Sequence, residues 1–328
     1  MPFARNPLSR LVPGLLVLLL AVSPSARADE SAQRLLMDMN EAVQRTSFRG
    51  TFVYFHDGQM EAMRLVHRVE GDEARERLLA LTGAAREILR DAEGVVCIMP
   101  DSQAVMVDRN FPRTPLNTGF PEDLDALDAH YEFLRVGRDR VAGQPCEVVA
   151  VRPRDTYRYG YRVWLADPSR LPLRFELLTP EGIPVEQMMF TELEISDRIA
   201  DEELLPTLDG RTFRHIGDDE GREQEMETHA AMSWEAGWLP PGFSLRHHNR
   251  HGMPGRSARV EHMVYSDGLA AVSVYVERAE DPDERLQGLS RMGAVSAMGL
   301  SRDGVHVTVV GEVPPVTVQR IAEGMRRR

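Results

Sequence analysis

The stretch that decides the fold is FRGTFVYFHDGQMEAMRLVHRVE, residues 48–70. The tripeptide His56-Asp57-Gly58 is typical of a tight turn. Apolar and polar side chains alternate on both sides of it, as they do in strands. In the second half Met63 and Leu65 fall on one face and Arg64 on the other. The stretch therefore predicts a β-hairpin with one face buried and one face in water.

The same alternation continues downstream in short runs bounded by Gly, Asp or Pro. We expect further strands at 75–81, 86–91, 94–99, 103–108, 145–151, 157–165, 173–177 and 185–195. Most of the connections are too short for the crossovers that parallel strands need. The first half of the chain is therefore predicted to be an antiparallel meander.

Two segments of the first half have the period of a helix. Apolar residues recur every three to four positions across 35–43, and Asp29 or Ser31 can cap that helix. The sequence Pro121-Glu122-Asp123-Leu124 is typical of a helix start, since proline suits the first turn and acids suit its positive end. An apolar stripe at Leu124, Leu127, Tyr131 and Leu134 predicts that this second helix continues to residue 134.

The alternation fades near Ser196, and the chain then becomes acidic. Residues 201–230 have the composition of a linker, with Asp218-Asp219-Glu220 at their centre. Beyond them, strands fit 259–266, 269–277 and 304–311, followed by a short helix carrying Val318 and Ile321. Separate runs of strands and helices predict the α+β class for both domains, at 29–200 and 231–328.

The first 28 residues have the order of a secretory signal peptide. Arg5 and Arg10 precede an apolar run of about a dozen residues, and Ala26-Arg27-Ala28 offers a small-x-small cleavage site. The run is shorter than the roughly 20 residues needed to span a bilayer, although an uncleaved anchor is the alternative. We expect a soluble periplasmic protein that begins at Asp29.

The mature chain would be strongly acidic. Removing 28 residues that hold three Arg leaves 36 basic and 51 acidic side chains, a net charge of −15. Such a charge gives no general attraction for nucleic acid, and it is repelled by anionic membrane surfaces. We therefore expect neither as a partner.

Two cysteines, Cys97 and Cys146, lie in apolar strand-like runs. An exported protein permits a disulfide between them. Buried thiols are the favoured interpretation, because free cysteine is among the most buried residue types.

The sequence carries no recognisable catalytic or cofactor motif. It lacks the nucleophile elbow, the glycine-rich dinucleotide loop, the P-loop and the paired-histidine zinc helix. The best metal candidate is His247-His248-Asn249-Arg250-His251, but Arg246 and Arg250 oppose a cation, so a solvated loop is favoured. No enzyme activity, cofactor or metal is expected.

The first domain has an apolar face that could do more than fill a core. The default interpretation is an ordinary sheet face packed on helices, and the sharper one is a cavity for acyl chains. The candidate lining residues are Phe48, Phe52, Met63, Leu65, Tyr161, Val163, Leu173, Phe175 and Leu177.

In the second domain, three aromatic residues and one neighbouring leucine are the candidates for contact with a partner protein, since Trp and Phe are enriched at hot spots. They are Trp238, Leu239, Phe243 and Tyr265. The alternative is that the turn from Trp238 to Phe243 forms the local core.

Several segments together resemble the MucB/RseB family of periplasmic regulators of the envelope-stress sigma factor. They are HYEFLRVGR (130–138), RVA (140–142) with CEV (146–148), YGYRVWL (159–165), LPLR (171–174), WLP (238–240) with GF (242–243), YSDGL (265–269), and VGEVPP (310–315) with RIAE (320–323). No single segment is diagnostic. Their order and spacing span nearly the whole mature chain.

The resemblance implies a specific architecture and role. The first domain would be an antiparallel half-barrel like those of the LolA/LolB lipoprotein carriers, closed by helices over an apolar hollow that senses lipid. The smaller second domain would grip the periplasmic part of a membrane anti-sigma factor and shield it from proteolysis. Lipid or misassembled envelope material would release that partner.

Two other functions stay open. A lipid or lipoprotein carrier could use the same half-barrel, although a carrier of this type needs only the first domain. A hydrolase would need a nucleophile, a base and an acid in the hollow, and no spacing suggests them. Assembly into a homo-oligomer is also left open.

Overall fold

The computed structural model describes residues 31–71, 73–108, 120–121, 123–208, 213–216, 232–252, 259–278, 286–302 and 304–328. The predicted signal peptide and the acidic centre of the predicted linker lie outside these residues. Within the described ranges, no helix has both the length and the apolar character that a membrane crossing requires.

Strands dominate the structure. The described helices are α1 (Ala32–Arg45) and α2 (Pro315–Gly324). The strands of the first half are β1 (Phe48–His56), β2 (Gln59–Glu70), β3 (Glu73–Ala80), β4 (Glu87–Asp91), β5 (Gly94–Met99), β6 (Ala104–Asp108), β7 (Tyr131–Val141), β8 (Gln144–Pro153), β9 (Gly160–Ala166), β10 (Pro172–Leu178) and β11 (Pro184–Ile195). Those of the second half are β12 (Arg214–Ile216), β13 (Trp234–Ala236), β14 (Ser244–Gly252), β15 (Arg259–Ser266), β16 (Ala271–Arg278), β17 (Gly288–Met292), β18 (Val295–Arg302), β19 (Val305–Gly311) and β20 (Met325–Arg327).

The first lobe is built on one 12-stranded sheet, ordered β12-β6-β5-β4-β3-β2-β1-β11-β10-β9-β8-β7. The predicted hairpin at 48–70 is confirmed, with Phe52 opposite Met63. Its turn places Asp57 and Gly58 at positive φ, as a two-residue hairpin turn requires. All pairs are antiparallel except β12 with β6, so the predicted meander is confirmed for the first half of the chain.

Helix α1 begins where the sequence predicts, because Ser31 Oγ accepts a hydrogen bond from the backbone N–H of Arg34 at 3.1 Å. Leu35, Leu36 and Met39 are buried on its apolar stripe. They pack in one cluster with Val149, Val151, Val163 and Leu165 of the sheet. The helix therefore covers part of one face of the sheet, called here the inner face.

The predicted helix at 121–134 is wrong. The chain makes a single 3-10 turn at Asp125–Leu127 and then enters strand β7 at Tyr131. Leu124, Leu127 and Tyr131 are buried in the same cluster as α1, so the apolar spacing reflects burial. From Tyr131 onward the backbone pairs with β8 along the whole strand, and this ladder replaces helical hydrogen bonds.

The second lobe has a six-stranded antiparallel sheet, ordered β14-β15-β16-β19-β18-β17. The predicted short helix near Val318 is confirmed as α2, and Val318 and Ile321 pack on Val272, Val274 and Val309 of the sheet. Strands β13 and β20 form a separate pair beside them. Each lobe thus has its own apolar core.

The residues after β11 lie on the first lobe. Asp201 pairs with Arg68 at 2.7 Å, and Glu203 pairs with Arg49 at 3.1 Å. The main-chain N–H groups of Thr207 and Leu208 donate to the carboxylate of Glu87 at 3.0 and 2.9 Å. The acidic composition of residues 201–208 therefore serves contacts to arginines of the sheet.

Cys97 and Cys146 are both buried free thiols, as favoured from the sequence. Burial raises the pKa of both groups. A raised pKa disfavours the reactive thiolate, so neither position has the chemistry of a redox site.

Candidate functional site

Four large side chains of the first lobe form a continuous surface on the inner face, called here the inner-face row. Met188 of β11 lies opposite Tyr54 of β1 on one side and opposite Phe175 of β10 on the other. The ring of Tyr161 on β9 lies 5.6 Å from the ring of Phe175. All four side chains keep part of their surface accessible. The row is mainly apolar, with two phenol hydroxyls.

The pKa and the exposure of Tyr161 characterise the surroundings of the inner-face row. Burial raises the pKa of its phenol well above 10, and Glu312 and Asp267 raise it further. The side chain nevertheless keeps accessible surface. Both observations fit a phenol ring that borders a recess shielded from bulk water. The ring of Phe120 packs edge-on against it at 5.6 Å.

The residues predicted to line a cavity fall into two groups. Phe48, Phe52, Met63, Leu65, Val163, Leu173 and Leu177 are buried within packed clusters. Tyr161 and Phe175 stay partly accessible in the inner-face row. Tyr54 and Met188 complete the row and are not in the predicted set. Their positions in the alternating pattern could have identified them, because they share the face of Phe52.

A polar contact closes one end of the row. The hydroxyl of Tyr54 donates to Glu186 Oε2 at 2.6 Å, and burial followed by this hydrogen bond raises the pKa of Tyr54 strongly. Glu186 Oε1 accepts from the backbone N–H of Ala294 in the second lobe at 2.8 Å. The end of the row is therefore also a point of contact between the lobes.

The lobes meet again at Arg158, a fully buried residue with 0% exposure. Its guanidinium makes an ion pair with Asp267 of the β15–β16 turn and donates to the carbonyl oxygen of Pro241 at 2.7 Å. Tyr131 donates its hydroxyl to the same Asp267 carboxylate at 3.0 Å. We call Arg158, Asp267, Tyr131 and Pro241 the interlobe joint. A buried charge needs such partners, because desolvation alone is very costly.

The predicted partner-contact residues lie in and beside the core of the second lobe. Phe243 and Tyr265 are buried, whereas Trp238 and Leu239 are partly buried against the core. The guanidinium of Arg320 lies 4.1 Å from the ring centre of Trp238. Trp238 also packs edge-on against Tyr157 of the first lobe at 4.9 Å. Trp238 therefore lies between the lobes.

The histidine segment is part of a strand, not a loop. His247 and His248 lie in β14, and His248 Nε2 lies 3.1 Å from Glu261 Oε1. Within the part of the chain that the structure describes, no group of three or more His, Cys, Asp or Glu residues is arranged to hold a metal ion.

The sequence did not identify Arg158 or Glu186 as functional. Asp267 lies between the strands predicted at 259–266 and 269–277, and its carboxylate caps the turn that joins them by accepting from the N–H of Ala270 at 2.7 Å. The partners of these charges lie far away in the chain, so local spacing carries no signal for them.

Two family models match the chain. The MucB/RseB N-terminal domain matches residues 31–208, and the MucB/RseB C-terminal domain matches residues 228–326. The sigma factor AlgU regulatory protein MucB of Pseudomonas aeruginosa is 34% identical over 316 residues, covering 95% of each chain. The sigma-E factor regulatory protein RseB of Escherichia coli K12 is 30% identical over 308 residues, covering 94% of each.

Solved structures agree with these matches. A crystal structure of MucB in complex with MucA(peri) has a TM-score of 0.68 at 32% identity, covering 90% of this chain and 99% of that one. A crystal structure of MucB without that partner has a TM-score of 0.60 at 32% identity, covering 90% and 98%. Both structures cover nearly the whole of MucB, so the similarity extends over both lobes of this chain.

Proposed function

Since the chain belongs to the MucB/RseB family, we propose that it is a periplasmic negative regulator of an envelope-stress sigma factor, and not an enzyme. It binds the periplasmic region of a membrane anti-sigma factor and shields that region from proteolysis. The observation that carries this proposal is the similarity along both lobes to MucB in complex with MucA(peri). The signal-peptide pattern of residues 1–28 supports the periplasmic location.

The second lobe distinguishes a regulator from a carrier. A lipid or lipoprotein carrier would use the first lobe alone, whereas this chain devotes residues 228–326 to a second family domain. Among the candidate contact residues, Trp238 and Leu239 have side-chain surface to offer a partner, because Phe243 and Tyr265 are buried. The regulator is therefore favoured over the carrier.

Protease protection tests the regulator directly. The purified full chain is added to the periplasmic segment of the organism's anti-sigma factor, and the initial rate of cleavage by the protease that starts its degradation is measured. At a concentration about 100 times the Kd, roughly 1% of the segment stays free, so we expect cleavage to slow by about 100-fold. Equal rates with and without the protein would refute shielding.

We further propose that the first lobe is a half-barrel whose hollow, lined by the inner-face row, accepts an acyl chain as the releasing signal. The partial accessibility of Tyr161, together with its strong desolvation, supports an enclosed hollow. Methionine and aromatic linings suit flexible acyl chains. Such a ligand weakens partner binding only if it prefers the conformation that the chain adopts without the partner. The loss of partner affinity cannot exceed the difference between the ligand's affinities for the two conformations.

Filling the hollow should block the acyl chain. We expect Met188→Trp to weaken the binding of a fluorescent fatty acid at least about tenfold, because the indole occupies the space between Tyr54 and Phe175. Fluorescence titration of the full chain measures this affinity.

The matched control is Met189→Trp. Met189 is the next residue of β11, is also partly accessible, and points to the opposite face of the sheet. We expect its affinity for the fatty acid to stay near the unmodified value. Equal weakening by both substitutions would count against an inner-face hollow.

A further inference from the structure

A charged and aromatic surface lies on the seam between the lobes. Tyr157 belongs to the β8–β9 connection of the first lobe, Trp238 lies between β13 and β14, and Arg320 lies on α2. The guanidinium carbon of Arg320 lies 4.1 Å from the ring centre of Trp238 and 5.6 Å from that of Tyr157. All three residues keep accessible surface. We call Tyr157, Trp238 and Arg320 the seam platform.

The guanidinium of the platform is held in one place. One terminal nitrogen of Arg320 donates to the hydroxyl of Tyr157, and the stack on Trp238 restricts rotation of the side chain. Thr317, one turn earlier on α2, donates its hydroxyl to the carbonyl oxygen of Tyr157 at 2.7 Å. The helix and the β8–β9 connection are therefore joined at this point. A guanidinium that is already ordered loses little conformational freedom when it binds an anion.

Most of the donors of Arg320 have no acceptor among the residues that the structure describes. A guanidinium carries five N–H groups, and the contact with Tyr157 uses one of them. Within the same ranges Arg320 forms no ion pair, because Glu323 on the next turn of α2 accepts from Gln319 at 3.0 Å instead. The acid nearest in sequence to Trp238, Glu235, contacts Arg326 at 2.8 Å. The platform therefore presents a positive charge that these acids do not neutralise.

Apolar surface flanks this charge. Val316, one turn before Arg320 on α2, is 45% exposed, and Leu239 next to Trp238 is partly accessible. The planar fork of an arginine binds a carboxylate through two parallel N–H···O hydrogen bonds. Trp, Tyr and Arg are also the residue types that most often carry binding energy at protein interfaces. The platform thus fits an acidic side chain that has an apolar neighbour.

We propose that the seam platform binds an acidic residue of the anti-sigma factor's periplasmic region. The carboxylate occupies the unused edge of the Arg320 guanidinium, and an adjacent apolar side chain of the partner packs on Trp238 and Val316. This inference rests on the proposed function and names the chemistry that the partner brings to the seam. A lipid phosphate is disfavoured because such headgroups are recognised by clusters of about four to eight basic residues, whereas the platform offers one guanidinium.

Substitutions of Arg320 in the full chain test the proposal. Isothermal titration measures the affinity for the periplasmic segment of the organism's anti-sigma factor. We expect Arg320→Gln to weaken binding at least about 30-fold, the loss typical of a hot-spot arginine. Arg320→Lys keeps the charge but not the fork, so it should still weaken binding about tenfold. The control Arg327→Gln removes an exposed arginine of β20 and should stay within about twofold of the parent.

A second variant leaves Arg320 in place. Tyr157→Phe removes the hydroxyl that orients the guanidinium and keeps the ring against Trp238. The loss of one hydrogen bond should weaken binding of the segment by about fivefold. Affinity equal to that of the parent would show that the orientation of Arg320 is irrelevant to the partner, against the proposal.

Paired substitutions separate direct contact from a structural role of Arg320. Each Asp and Glu of the segment is replaced in turn by Asn or Gln. One such change should weaken binding to the parent at least about tenfold and have little further effect on Arg320→Gln, because the two groups share one interaction. If every segment variant instead loses the same factor on going from the parent to Arg320→Gln, the arginine only holds the lobes together and the proposal is wrong.

The remaining outcomes distinguish this inference from the proposed function. A parent chain that does not bind the segment would refute both. A parent that binds the segment, together with an Arg320→Gln variant that binds it equally well, would overturn the inference and leave the regulator intact. Phosphatidylglycerol vesicles supply the last arm. If Arg320→Gln loses vesicle binding and keeps its affinity for the segment, Arg320 recognises a phosphate and the proposal falls.

Discussion

Replacing Arg158 by alanine is expected to lower the free energy of unfolding by about 3–5 kcal/mol, the cost of leaving a buried charge without its partner. The guanidinium is fully buried and holds Asp267 and the carbonyl oxygen of Pro241, both in the second lobe. Denaturant unfolding measures the loss. Because the joint couples the two cores, calorimetry of the variant should also show two separated transitions.

The control is Arg152→Ala, which removes an arginine near the end of β8, just before the β8–β9 connection that carries Arg158. Arg152 is largely exposed and lies 3.5 Å from Glu132, so its loss should cost less than about 1 kcal/mol. A double substitution of Arg158 and Asp267 by alanine should cost less than the sum of the single changes, because the two charges share one interaction. An Arg158→Ala loss as small as the control's would show that the joint does not hold the lobes.

Replacing Glu87 by alanine is expected to cost about 3 kcal/mol and to release residues 201–208 from the sheet. Glu87 is 0% exposed, pairs with Arg77, and accepts hydrogen bonds from the N–H groups of Thr207 and Leu208. Without it, Nε of Arg77 and the two backbone donors lose an acceptor. Limited proteolysis should cut within 201–208 faster, and denaturant unfolding should shift to lower concentration.

Glu93→Ala serves as the matched control for that change. Glu93 is an exposed acid in the turn between β4 and β5, so its loss should change stability by no more than about 0.5 kcal/mol. If the two variants unfold at the same denaturant concentration and are cut at the same rate, Glu87 does not anchor the segment.

Much of the first lobe could be predicted from local pattern. The hairpin at 48–70 and helix α1 follow from periods of two and 3.6 residues, and both end at residues whose turn or capping chemistry is evident from sequence. The stretch 121–134 shows the limit of this reasoning. Its apolar spacing reports burial of Leu124, Leu127 and Tyr131, and burial at that spacing is equally compatible with a 3-10 turn leading into a strand.

The sequence by itself determined the alternating strands of the sheets, the two helices with their buried faces, and the resemblance to MucB/RseB, since each depends on residues close together in the chain. Only the tertiary structure decided which charges meet between the lobes. Arg158 and Asp267 are 109 residues apart, and Glu186 and Ala294 are 108 apart. Pairs like these form only after each lobe has folded around its own core and the lobes have docked. No periodicity along the chain encodes which carboxylate will face which donor.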